Sequence, residues 1–351
     1  SASRSFSITV QNDAPSNHFN TVLYTGNNTA KTVSVGFAPD LVWIKNRNNS
    51  TNSTHDHNLF DSLRTTGYRV KSNSTAAQND YSSHMSGFTS DGFNLTTTGA
   101  LNDGSGSGTY VAWNFKAGGA AVANTDGTIN SQVSVNNTLG FSIVGWTSSS
   151  TSSDTIGSGL NERVEFLITK KYSGSRDWHV WHKDLPNNGY LNLNTSSAES
   201  TPNGDRATVT NDTTFIAQST SGDLMIAYCF ASKPGFSKVG SYTGNGSTSG
   251  PMVQTGFEPA FLMIKTTGAD GWFMVDNKRE TSNPRGNRLF ANSSVAEASE
   301  PGAQVNFYAN GFQLTGSGGG QGQTNSNGTT YIYLAFAADG STATPSLANS
   351  F

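Results

Sequence analysis

Three stretches of this chain repeat the same words in the same order, and that order constrains the fold more than any other feature. Phe19-Asn-Thr-Val22-Leu-Tyr24-Thr25-Gly26-Asn27 returns as Phe141-Ser-Ile-Val144-Gly-Trp146-Thr147. It returns again as Phe236-Ser-Lys-Val239, reaching Tyr242-Thr243-Gly244-Asn245 with one extra residue. Gly36-Phe37-Ala-Pro39-Asp-Leu-Val-Trp-Ile44-Lys45 matches Gly256-Phe257-Glu-Pro259-Ala-Phe-Leu-Met-Ile264-Lys265. Phe88-Thr-Ser-Asp-Gly92-Phe93-Asn-Leu95 matches Phe307-Tyr-Ala-Asn-Gly311-Phe312-Gln-Leu314. The copies close on Tyr110–Phe115, Met225–Phe230 and Tyr331–Phe336. Repetition at a fixed period marks one supersecondary unit copied along the chain. The copies run over 18–118, 139–233 and 234–338, each about 100 residues, the size of a small domain. Copy two has diverged most: it lacks the Gly-Phe-x-Pro turn and the Phe…Gly-Phe-x-Leu block.

The periodicity inside each copy is that of strands. Apolar residues fall in runs or alternations of about four to eight, broken by Gly, Asn, Asp and Ser. Copy one reads as strands near 19–24, 31–36, 40–46, 57–63, 84–89, 92–97 and 108–116. Copy three reads as 236–242, 251–256, 260–266, 271–276, 303–308, 311–315 and 329–337. Asp91-Gly92 and Asn310-Gly311 are hairpin signals. Leu41–Ile44 and Phe261–Ile264 are continuously apolar, as strands covered on both faces are. The expected fold is all-β: three tandem antiparallel sandwiches of jelly-roll or concanavalin-like type, with almost no helix.

Composition agrees. Hydrophobic residues are 34% and charged residues 13%, but aromatics reach 11%. A chain this rich in Phe, Tyr and Trp has the material for buried cores, which disordered segments lack. Ser, Thr, Asn and Gly carry the polar balance, and these favour turns and strands over helix interiors. Net charge is −3. No basic stripe points to nucleic acid, and no apolar stretch is long enough for a membrane-spanning helix. The single cysteine, Cys229, gives no disulfide framework and reads as a small buried apolar residue.

Outside the copies, residues 1–17 contain Phe6, Ile8 and Val10 in alternation. That is a strand, either an edge added to copy one or the end of an upstream immunoglobulin-like domain. Residues 119–138 link copies one and two, with a further strand available over Ile129–Val135. The join between copies two and three, Ser232-Lys-Pro-Gly235, is short enough that these copies pack together. Residues 339–351 form a polar tail. Gly316–Gly322 is a glycine-rich hairpin tip; it lacks the lysine and following helix of a phosphate loop.

Few constellations suggest chemistry. His55-Asp56-His57 puts two imidazoles on one face of a strand, but no third ligand follows, so no metal is assigned. Trp178-His-Val-Trp181-His182 alternates: Trp178, Val180 and His182 face one way, His179 and Trp181 the other. One face belongs to a core, and the other offers an aromatic platform of the kind that stacks on sugar rings. Trp178, Trp181 and His182 are therefore the candidate ligand-binding residues. Trp272 stands at the matching place in copy three, which favours packing for Trp178. Asp61-Ser-Leu-Arg64 and Asp276-Asn-Lys-Arg279 recur at one offset, as a structural ion pair would. No pair of carboxylates sits in an aromatic-flanked motif, and no nucleophile elbow has its strand–turn–helix setting. No catalytic residue and no cofactor are assigned, and an enzyme is the weaker expectation.

The repeated phrases carry a resemblance. Tyr24–Asn27, Gly36–Arg47, Ser90–Leu95, Tyr110–Gly119 and Gly235–Gly246 resemble the phrases of repeat proteins in tailed bacteriophages, frequent in marine and cyanobacterial phage genomes. The resemblance covers about 18–338. It implies a tail-fibre-like or other virion structural protein with a concanavalin/laminin-G-like sandwich, and it brings no assigned catalytic residues. The expectation is a non-enzymatic virion surface protein, extracellular, in a fibre, spike or capsid decoration, meeting the host surface or its glycans. Its partners would be other virion proteins and a host glycan, in a homo-oligomer, with no nucleic acid and no membrane insertion. The alternative is a carbohydrate-binding module or adhesin of a secreted bacterial protein.

Overall fold

The structure is a computed structural model that describes residues 13–49, 55–97, 99–149, 151, 153–185, 189–201, 206–316 and 321–339. The strand expected over residues 6–10 and the tail from 340 lie outside these.

The regular structure of the described residues is nearly all strand, with one four-residue α-helix, Gln321–Thr324, and two short 3-10 turns. That helical turn follows the glycine-rich stretch, where the sequence suggested a hairpin tip and nothing helical. The strands form six antiparallel sheets in three pairs. Each pair has one broad sheet, of six, seven and six strands, and one narrow sheet of three strands. In every broad sheet the closing strand is central: Thr109–Phe115 lies between Phe19–Thr25 and Leu41–Asn46. Leu224–Phe230 lies between Phe141–Thr147 and Phe166–Lys171. Thr330–Ala337 lies between Ser237–Thr243 and Pro259–Thr266.

Register refines the alignment of the copies. Phe19 pairs with Phe115 and Phe141 with Phe230, but Ser237, not Phe236, pairs with Phe336. The extra residue of copy three therefore precedes its opening strand, and Phe236 turns its ring to His18, 5.5 Å away. Two strands per copy escaped the sequence: Tyr68–Lys71 and Asn79–Asp80 in copy one, Asn287–Phe290 and Ala298–Ser299 in copy three. Each is only two to four residues long. The linker is no tether, since Val122–Asn124 and Ser131–Asn136 extend the edge of copy two's broad sheet. Copy two keeps a narrow sheet despite lacking the sequence block. Ile156–Gly157, Thr208–Val209 and Thr214–Ile216 build it, and Phe215 takes the place of Phe93 and Phe312.

Each broad sheet is buried on both faces. One face closes on its own narrow sheet: Val42, Ile44 and Tyr110 with Val33, Phe93 and Leu95 in copy one. The other faces of all three broad sheets meet in a single cluster: Leu41, Trp43 and Trp113, Phe166, Ile168 and Tyr228, Phe261, Met263 and Leu334. At its centre the three closing phenylalanines form a triangle. Ring centroids lie 6.1 Å apart for Phe115–Phe230, 5.3 Å for Phe115–Phe336 and 6.0 Å for Phe230–Phe336. The chain is thus an internal pseudo-trimer. This explains the continuously apolar runs, since a strand wet on one face would alternate. Gly92 and Gly311 show why the repeated Gly-Phe is kept: a Cβ there would stand 1.9 Å from the Val33 carbonyl oxygen and 2.0 Å from that of Val253.

Candidate functional site

The residues the sequence singled out are consumed by the pseudo-trimer. Trp178 is fully buried in the central cluster, and its indole Nε1 donates to the carbonyls of Lys71 (2.9 Å) and Ser74 in copy one. Trp181 is buried in copy two's own sandwich core, and His182 is fully buried. Both faces of that strand are covered, so the aromatic platform expected there is not open to a ligand. The cause is the third layer, which a single sandwich would not have.

Register makes His57, Trp178 and Trp272 equivalent, each one residue before the strand position opposite Ile44, Thr169 and Ile264. Trp272 Nε1 donates to the Asn192 carbonyl of copy two (3.0 Å). His57 faces the carbonyl of Phe290 in copy three, although Nε2 closes no hydrogen bond of standard geometry. Its Nδ1 accepts from Trp43 Nε1 at 2.8 Å. Each copy thus leans on the preceding one, in a cycle. Asp56 pairs with Lys71 at 2.8 Å. Among the described residues no three potential metal ligands converge.

The Asp–Arg repeats follow the same cycle. Arg64 Nε sits 2.7 Å from Asp61, and Arg279 Nε sits 2.6 Å from Asp276, with side chains almost wholly buried. Asp61 also accepts the Tyr228 hydroxyl of copy two (2.8 Å), and Asp276 the Trp113 indole of copy one (3.2 Å). His182 stands at the matching position in copy two. The sequence missed a further set. Lys45, Lys170 and Lys265 are equivalent and fully buried, and burial lowers each amino group to about 8. Lys45 donates to the Asn46 carbonyl (2.6 Å) and the Ser294 carbonyl of copy three (3.3 Å). Lys170 donates to the Thr75 carbonyl of copy one and the Arg176 carbonyl, both at 2.7 Å. Lys265 donates to the carbonyls of Thr266 and Gly268. Burial also pushes the Cys229 thiol up to about 12, so it is no nucleophile.

One junction departs from the cycle. Where copy one's Asp–Arg turn meets copy two's broad sheet, a groove of about 450 Å³ opens. Leu63, Gly145, Tyr172, Leu224 and Ile226 line its apolar part; Ser62, Asn130, Gln132 and Thr147 line the rest. Trp146, also at its wall, turns its ring to the opposite face, 5.5 Å from Phe215. The rim residues Asn130 and Gln132 come from the linker. Arg64 is the charged residue of the lining, and its guanidinium is satisfied by Asp61, the Leu59 carbonyl (3.1 Å) and Gln78 (3.3 Å). Among the described residues nothing bonds the side chains of Asn130 and Gln132 or the Tyr172 hydroxyl. The groove can hold a small ligand by an aromatic face and neutral polar groups, and it holds no group poised for proton transfer or nucleophilic attack.

No curated protein and no solved structure matches the chain. Over residues 14–339 it matches the model of a domain of unknown function, DUF7483, and it belongs to that family.

Proposed function

We propose that this protein is a non-enzymatic virion surface protein of a tailed bacteriophage, a fibre, spike or capsid decoration that takes part in host attachment. The observation that carries the reading is the shared core. One chain holds three sandwiches around a shared core, which fixes their outer faces rigidly relative to one another. Its buried polar side chains support the reading, because Trp178, Lys45, Lys170, Asp61 and Asp276 are committed to contacts between copies. The outer faces are polar and uncharged in large part, as at Thr32, Ser34 and Ser86 of copy one's narrow sheet. A rigid scaffold with a Ser/Thr/Asn skin suits display rather than turnover. The phrase resemblance along 18–338 gives the phage setting.

The test is mass spectrometry of purified particles from a phage that encodes this chain, with immunogold labelling of intact virions. The chain is expected at stoichiometric levels, with label on the outside. Its absence from washed particles, or its recovery in a bacterial envelope fraction of uninfected cells, would reject the reading; the second result would favour a secreted bacterial adhesin.

A further inference from the structure

We infer that the groove between copies one and two is a binding site for an uncharged saccharide. This deepens the attachment role proposed above and rests on it for its biological setting, not for its chemistry.

The chemistry comes from comparing three junctions built on one plan. At the junction of copies three and one, the position of Gly145 is held by Leu23, and that of Tyr172 by Arg47. Arg47 pairs with Glu297 at 2.7 Å, and Glu297 pairs in turn with Arg279 at 2.9 Å. A leucine and an ion network thus occupy that junction. At the junction of copies two and three, Ser241 and Thr267 stand at the same two positions. Only between copies one and two does the plan carry glycine with an aromatic ring. Gln78, which bonds the Tyr172 carbonyl, stands where Glu297 bonds the Arg47 carbonyl. The substitution removes a bulky side chain and a carboxylate together.

The class of ligand follows from what remains. Arg64 is buried and paired with Asp61, and it also donates to Gln78 and the Leu59 carbonyl. An anionic ligand therefore finds no free cation, and a cationic one no free carboxylate. Leu63, Leu224, Ile226 and the Tyr172 ring present an apolar floor suited to the C–H face of a pyranose. Asn130, Gln132 and the Tyr172 hydroxyl supply amide and phenol donors and acceptors for ring hydroxyls. The volume of about 450 Å³ falls within the roughly 300–1,000 Å³ usual for small-ligand sites.

The test uses the whole chain and a panel of uncharged saccharides: glucose, galactose, mannose and N-acetylglucosamine, with their short oligomers. Saturation-transfer NMR is followed by calorimetric titration of any binder. Sialylated and sulfated oligosaccharides form the charged arm. The decisive variant is Gly145→Leu, which puts copy one's own residue into the groove. A Cβ at Gly145 meets nothing closer than 3.5 Å, so the fold is expected to stand, checked by an unchanged melting temperature. We expect saturable binding of at least one neutral sugar, weakened about tenfold or more by Gly145→Leu and by Tyr172→Ala. Thr267→Ala, at the equivalent position between copies two and three, should leave binding unchanged. Binding that persists in Gly145→Leu, binding confined to the charged arm, or no binding at all overturns the inference. Cell adsorption separates the two proposals. If no neutral sugar binds but the chain still adsorbs to host cells, the groove inference fails and attachment stands. If neutral sugars bind the groove but the chain neither adsorbs nor occurs in particles, attachment fails and the groove stands.

Discussion

Lys45, Lys170 and Lys265 show how this molecule treats charge: each amino group is buried and answered by backbone carbonyls. Buried histidines do the converse and stay neutral. Burial is the first cause in each case: it holds His57 well below its usual value, His179 near 3 and His182 near 4. The unfolded chain protonates these imidazoles near pH 6.5, whereas the folded chain refuses the proton until far lower. Their contribution is therefore complete above about pH 6.5 and shrinks as pH falls. The lysines act in the same direction at higher pH. Between about pH 8 and 10.5 the unfolded chain keeps protons that the folded lysines have released, so stability rises across that window. Urea midpoints measured from pH 4.5 to 9.5 should climb from about pH 5 to 6.5 and again above 8. A flat acid limb would show that these imidazoles are not held neutral. Lys45 and Lys265 stood in the repeated phrases and His57 in the His-Asp-His stretch, but only their tertiary partners reveal what they do.

At the scale of elements, the strands legible in sequence were those with alternation or continuous apolar runs, and they stand close to where they were expected. Those missed are two to four residues long, such as Tyr68–Lys71 and Asn287–Phe290. So few residues are too short to show a period. Copy two's narrow sheet was legible only in hindsight, as Thr214-Phe215 where the other copies have Gly-Phe. The stacking confirms it: Tyr24–Phe93, Trp146–Phe215 and Tyr242–Phe312 are all edge-to-face, at 6.3, 5.5 and 6.0 Å. Glycines in these elements separate into two kinds. Gly92→Ala forces a Cβ against the Val33 carbonyl and should cost about 1–3 kcal/mol. Gly145→Ala places its Cβ at ordinary contact distance, 3.5 Å from Leu63, and should change stability by less than about 0.5 kcal/mol. Denaturation curves of the two variants measure both, and equal effects would mean that the narrow sheet relaxes freely around Gly92.

For the whole molecule, one shared core implies one cooperative unit. The central cluster draws residues from all three copies, and removing any copy uncovers the inner face of the other two. The intact chain should melt in a single calorimetric transition, whereas residues 234–339 expressed alone should aggregate or bind a hydrophobic dye. Three resolved transitions, or a stable monomeric copy, would mean that the copies fold independently.

The chain alone determined that three β units exist, where their main strands run, which turns they use and that their central strands are covered twice. Such properties follow from local periodicity and turn chemistry, which are written in neighbouring residues. What covers the second face was decided only in tertiary structure, and with it the burial of Trp178, Trp181 and His182. So was the groove at Gly145 and Tyr172, because its walls come from Ser62–Arg64 of copy one and from the linker and copy two, which meet only when the copies close around their axis.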